Sequence, residues 1–406
     1  MSGEPAPAPI ACAIATSPGT IDRAAAGLHP AYFSLVMATG IVSLAAWIES
    51  GGVGGHSMLA ALARGMFWLN FLFFAALWAL TLIRIARHRT RLIADFSDHN
   101  KSVGFFTMVP GACVLGTQAL LIQGMTGLAW GLWILGTILW AVLTYTIFTV
   151  LTVKSVKPTL ADGISGGWLL SVVATQAVAV LAGQLASAAG AEGVVGHGHS
   201  EGLLFIALVM WLGGAMLYIW IIALIFYRYT FFPFKPSDLA PPYWINMGAM
   251  AISTLAGTTL LLATKDRDSS IALVRDLLPF IKGATLLFWA TATWWIPMLL
   301  ILGVWRHIVK RFPLRYDPLY WGAVFPLGMY SVATARMNSA IELPPSLGVL
   351  PPVFCYVSIT AWALAVTGMG YAVCVSARGG QCTGVRSRGA GGQPPPPAPP
   401  PRAPPG

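Results

Sequence analysis

Charge is what this sequence lacks most. Only 9% of its 406 residues are Asp, Glu, Lys or Arg, and 56% are hydrophobic, whereas soluble proteins carry about 25% charged residues. That balance excludes a soluble globular domain. The fourteen carboxylates, from Glu4 to Glu342, all fall in tails, loops or the ends of apolar runs. A cation pathway or a carboxylate proton relay needs at least one such group deep in the bilayer, whereas an anion would be repelled by it. The five cysteines (Cys12, Cys113, Cys355, Cys374, Cys382) make no close pair and no zinc spacing. Three of them fall in apolar runs, where a thiol packs as a small core residue. No phosphate-binding glycine loop, G-x-S-x-G or CxxC occurs, so no catalytic residue, metal or cofactor is expected. The first 27 residues have no basic stretch ahead of a long apolar core, so a cleaved signal peptide is not expected either.

What is present is a series of apolar runs near 20 residues long, the length that crosses a bilayer. Ten are legible, over 30–48, 58–84, 104–123, 127–151, 165–189, 202–226, 242–264, 278–303, 319–337 and 352–375. The fold class is an all-α integral membrane protein. Three regions follow: a disordered tail over 1–27, the transmembrane domain over 28–376, and a disordered Pro/Gly-rich tail over 377–406. An even number of crossings puts both ends on one side. With that side cytoplasmic, 18 of the 24 Lys and Arg lie inside and six outside, as the positive-inside rule requires. The protein is thus expected in the plasma membrane, multi-pass, with both termini cytoplasmic. Its formal charge of +10 reads as cytoplasmic loops with some attraction to anionic lipid, and not as a nucleic-acid surface.

The runs are of two kinds. Even-numbered ones are crowded with aromatics, such as Phe67, Trp68, Phe71 and Trp78, or Trp211, Tyr218 and Trp220. Odd-numbered ones have small or polar middles, such as Ala38-Thr39-Gly40 and Pro110-Gly111-Ala112. Small residues let helices approach closely or leave room for a lumen, and bulky rings suit a lipid-facing shell. The alternation predicts five hairpins with odd helices inside. Tight packing in a solid bundle explains the small residues equally well. If there is a lumen, Thr39, Gly111, Thr175, Thr254, Gly328 and Val332 are the candidates to line it.

Tyr320 to Met337 breaks the pattern. Phe325 and Tyr330 put rings into the middle of an odd run, and Pro326 removes a backbone donor beside Phe325. A bend is predicted at Pro326, with Pro110 and Gly40 as lesser candidates. Irregular backbone at membrane depth survives where it lines a cavity, which makes Phe325 a candidate plug. Arg336 follows eleven residues later, within roughly 20° of the same helical face and about 16 Å further out. It is therefore a candidate outer-mouth charge that concentrates anions, or else a snorkelling anchor.

His29-Pro-Ala-Tyr-Phe-Ser-Leu-Val-Met-Ala-Thr-Gly-Ile41 resembles the opening signature of the tellurite-resistance/C4-dicarboxylate transporter family, which includes plant guard-cell slow anion channels, fungal malate permeases and sulfite efflux proteins. Asp95 to Thr107, and Phe325-Pro326 with Val332-Ala333-Thr334, resemble the same family's second-to-third-span junction and ninth span. The likeness covers roughly 30–375. It implies ten helices as five hairpins in a quasi-fivefold ring about a central pore, one pore per subunit of a homotrimer. It also implies occlusion by a phenylalanine at the Phe325 position and small anions as cargo: dicarboxylate such as malate, sulfite, chloride or nitrate.

Two other readings stand beside this. A proton-coupled C4-dicarboxylate carrier would rely on His29, the one titrating group near the membrane on an inner span. A membrane-bound metal-dependent enzyme would rely on Asp95 and Asp98, but a site for a diphosphate's Mg²⁺ needs carboxylates from a second segment and none is present. His197-Gly-His199 supplies only two zinc-type ligands in a Gly-rich loop.

Overall fold

A computed structural model describes residues 19–52, 57–192, 197–265, 272–313 and 316–382. Ten long helices account for most of them: α1 Ser34–Glu49, α2 Met58–Arg87, α3 Met108–Gln123, α4 Thr126–Val153, α5 Leu170–Glu192, α6 His197–Phe231, α7 Ile245–Lys265, α8 Leu278–Val304, α9 Trp321–Ala340 and α10 Leu350–Cys382. The described residues contain no strand. Nine of these helices are long and apolar enough to cross a membrane. The exception is α9, which carries Pro326, Arg336 and Asn338. It can be less apolar because it lies among other helices and buries most of its length.

Burial divides the helices as the aromatic pattern predicts. The spans containing α1, α3, α5 and α7 are 89–94% buried, and those containing α2, α4, α6, α8 and α10 only 17–33%. Each inner helix packs on the next, α1 on α3, α3 on α5, α5 on α7 and α7 on α9, and α9 packs back on α1.

One glycine per inner helix makes these contacts close. A Cβ at Gly40 would lie 2.5 Å from Val114 on α3, one at Gly116 2.6 Å from Leu181 on α5, and one at Gly183 2.8 Å from Thr259 on α7. Likewise a Cβ at Gly248 would lie 2.7 Å from Pro326 on α9, and one at Gly328 3.0 Å from Ile41 on α1. A glycine thus stands at a close approach between each inner helix and the next, where a side chain would have to displace its neighbour.

Three expectations change. Gly40 is a contact and not a hinge, since α1 runs through it unbroken. Pro110 is the third residue of α3, where an N–H has no intrahelical acceptor anyway, so the helix passes it without a break. The tail boundaries also move toward the chain ends. Thr20–Ala26 is helical, with Ala25 buried and Asp22 bonded to Arg87 and His88. At the other end α10 continues to Cys382, because no proline interrupts the chain between Pro352 and Pro394. The rest of both tails lies outside the described residues.

Candidate functional site

Every inner helix is entered through a 3-10 turn: Pro30–Phe33, Ser102–Thr107, Gly166–Leu169, Pro241–Trp244 and Pro318–Tyr320. Three of the turns begin with proline, whose fixed φ and missing donor suit the start of a helix. His29 Nδ1 accepts from Ala31 N–H at 3.1 Å, and Asp317 Oδ1 from Leu319 N–H at 2.8 Å. The turns touch in chain order and the last meets the first. Five helix N-termini therefore gather at one end of the bundle, each bearing the positive end of a helix dipole.

Between the inner helices lies a narrow cavity of about 20 Å³, room for about one water. All five inner helices line it and no outer helix does: Ile41 and Leu44 from α1, Cys113, Val114 and Thr117 from α3, Ala177 and Val180 from α5, Ile252 and Leu255 from α7, and Met329 from α9. Its one hydroxyl, on Thr117, donates to Gln184 Oε1 at 2.9 Å. Phe325 is 1% exposed and lies one turn before Met329, on nearly the same helical face, about 6 Å nearer the gathered N-termini. Pro326 leaves α9 continuous, and its ring rests against Gly248.

The six lumen candidates are not among the residues that line this cavity. Thr39 and Thr175 turn their hydroxyls to the shell, where Trp362 Nε1 donates to Thr39 Oγ1 at 3.0 Å and Trp140 Nε1 to Thr175 Oγ1 at 2.8 Å. Thr254 satisfies its hydroxyl on Met250 C=O within its own helix. Gly111 faces Phe33, Gly328 faces Ile41, and Val332 is buried.

The tryptophan contacts recur around the bundle. Trp289 on α8 donates to Thr334 Oγ1 on α9 at 3.1 Å, and Trp211 on α6 to Ser253 C=O on α7 at 2.9 Å. Asn70 on α2 makes the corresponding bond to Gln118 on α3 at 2.7 Å. Each inner helix thus receives at least one hydrogen bond from the shell helix that precedes it, so these polar groups are spent on assembly. Sequence reasoning missed the cavity residues because most of them are ordinary aliphatics. The one signal available was the position of Ile41, Ala177 and Ile252 two residues from Thr39, Thr175 and Thr254, which is the opposite helical face.

Arg336 is half-buried near the far end of α9 and has no ion-pair or hydrogen-bond partner among the described residues. The acidic pair that could have served an enzyme is already engaged. Asp95 is buried against Arg84 and Lys101, and Asp98 accepts from the N–H groups of Asn100 and Lys101. Beside them, burial lowers the pKa of His29 below its ordinary 6.5, while Asp95 pulls the other way. The side chains of His197 and His199 lie outside the described residues.

A helical membrane protein built as a sheathed inner bundle, with a small apolar cavity at its centre and gathered helix N-termini, has the form of a transport protein. The chain matches the SLAC1 family, described as voltage-dependent anion channel, over residues 27–369, and it belongs to that family. An uncharacterized membrane protein of Mycobacterium tuberculosis is 38% identical over 155 residues, 38% of this chain and 75% of that protein. An uncharacterized transporter of Methanocaldococcus jannaschii is 26% identical over 311 residues, 76% of this chain and 82% of its own length. The sulfite efflux pump of Arthroderma benhamiae is 21% identical over 357 residues, covering 84% and 89%. The function that follows is transport of anions across a membrane.

Proposed function

We propose that this chain is an anion channel or passive permease whose path runs between the five inner helices and is closed by Phe325. The supporting observation is the cavity that every inner helix lines, together with the cyclic contacts that would make the inner set a quasi-fivefold ring. Phe325 seals the side toward the gathered N-termini, where five dipole ends draw anions in. No carboxylate stands in the middle of an inner helix to repel them. The cargo is a small anion (a C4-dicarboxylate, sulfite, chloride or nitrate), and sulfite gains weight from the relative named for its efflux. The protein works as a homotrimer in the plasma membrane with its termini in the cytoplasm, so the N-terminal ends of the inner helices face inward.

The test is Phe325→Ala reconstituted in liposomes with a panel of chloride, nitrate, sulfite, malate and succinate. Conductance should rise for at least one anion while the protein stays folded, and Phe288→Ala on α8 should change nothing. In a closed bundle the same truncation would only cost about 3–5 kcal/mol, as in soluble cores. A stable, assembled Phe325→Ala protein no leakier than wild type to every anion overturns the plug. Reversal potentials that follow an imposed pH gradient would favour the proton-coupled carrier instead.

A further inference from the structure

The shell has a gap. Each shell helix packs closely on the inner helix before it, and all but α8 also pack on the one after; α8 lies along α7 and touches α9 only lightly. As a result Ala323 and Leu327 of α9, with Tyr320 of the turn before it, form a half-exposed stripe on the outer side. α10 supplies the facing wall with Ala361 and Leu364, and an apolar groove of about 380 Å³ runs between the two helices. Tyr316 closes one end. A Cβ at Gly368 would lie 2.9 Å from the Tyr316 ring, so a glycine at that position is what lets the ring settle on α10.

Tyr316 and Tyr320 also line a second cavity, of about 490 Å³, which makes the two spaces adjoining. The chemistry changes across those rings. The second cavity holds Arg306, whose guanidinium lies over Phe312 with 4.5 Å to the ring centre and whose Nη1 donates to Leu239 C=O. Arg306 Nε is buried with no partner. The carboxylate in the same cavity, Asp317, already accepts from Leu319 N–H. Lys310 and Arg311 stand exposed on the same connection.

We infer that the joined cavities hold one anionic phospholipid, its head group against Arg306 and one acyl chain in the groove along α9. The groove opens onto hydrocarbon, where the surrounding solvent is itself acyl chain. From Tyr320 to Leu327 it descends about 10 Å, the depth of the upper part of a chain whose head group stays at the interface. Arg306 in the cavity wall, with Lys310 and Arg311 exposed beside it against the single carboxylate of Asp317, selects an anionic head group over a zwitterionic one. Val324 and Leu327 in the groove wall flank Phe325 in sequence, so a bound chain lies directly against the helix that carries that ring.

The full-length protein, stripped of lipid in detergent, is titrated with palmitoyl-oleoyl-phosphatidylglycerol or with the matching phosphatidylcholine, and bound lipid is counted by native mass spectrometry. Wild type should take one phosphatidylglycerol per subunit, about fivefold more tightly than phosphatidylcholine. Arg306→Gln should abolish that preference. Because Arg306 also holds the Leu239 carbonyl, Ala361→Phe serves as a second variant that fills the groove and leaves that loop intact; it should lose tight binding of both lipids. Equal binding of the two lipids by wild type, or undiminished phosphatidylglycerol binding by Ala361→Phe, overturns the inference. Lipid that binds only after subunits dissociate would assign the groove to a second copy and overturn it too. The readout is lipid count, so the outcome is independent of anion flux and of Phe325.

Discussion

The indole N–H of Trp362 and the hydroxyl of Thr39 meet at 3.0 Å across 323 positions of sequence. This bond ties the last shell helix to the first inner helix and closes the bundle on itself. A hydroxyl in so apolar a place needs a partner, because an unpaired polar group in hydrocarbon is costly, and the shell supplies it.

Trp362→Phe and Thr39→Val should therefore couple. In a double-mutant cycle on detergent-solubilised protein, the interaction energy should be about 0.6 kcal/mol and no more than ~1.7, the range for hydrogen bonds between membrane helices. Strictly additive losses would mean the contact contributes nothing to stability.

Glycine crossings should be intolerant and glycines elsewhere tolerant. Gly248→Ala puts a methyl 2.7 Å from the Pro326 ring and should cost about 1–3 kcal/mol by overpacking. Gly213→Ala on α6 meets nothing within 4 Å and should be neutral or stabilising by up to about 1 kcal/mol through helix propensity. Thermal unfolding midpoints of the two variants decide the matter, and equal midpoints would remove the argument for close crossings.

Orientation is tested by labelling. In a background without native cysteines, Ser57→Cys, at the start of α2, should react with an impermeant thiol reagent on intact cells. Ser155→Cys, between α4 and α5, should react only after permeabilisation. The reverse result would turn the gathered helix N-termini outward.

Arg336→Glu should lower anion flux more at low ionic strength than at high, because salt shortens the reach of an exposed charge to roughly 8–10 Å. Flux unchanged at both salts would leave Arg336 as an anchor of the helix end.

His29 should give the fold a mild acid sensitivity. Burial lowers its folded pKa below 6.5, so below about pH 6.5 the unfolded chain binds more protons and stability falls with pH until the folded pKa is passed. Protonation of Nδ1 would also remove the acceptor that caps Ala31 N–H. His29→Asn keeps a capping acceptor and should show a smaller drop in melting midpoint between about pH 7.5 and about pH 5. An identical drop in both proteins would place the sensitivity elsewhere.

The sequence by itself determined the membrane class, the apolar helices and the division into inner and shell helices. These depend on composition and on one-dimensional alternation: Phe67 and Trp78 belong to a shell run and Ala38-Thr39-Gly40 to an inner one whatever the neighbours are. It also singled out Phe325 and Pro326 as the departure from that alternation. Only the tertiary structure decided which face of each inner helix looks inward. Thr39 and Ile41 lie two residues apart and so on opposite faces; the threonine bonds to Trp362 while the isoleucine lines the cavity. A polar residue in an apolar run reads as lumen-lining until its partner is seen, and for Thr39 that partner lies 323 positions away. Gly40 is the same case. It reads as a hinge from composition, and only the Val114 side chain pressed against it shows that it holds neighbouring helices together.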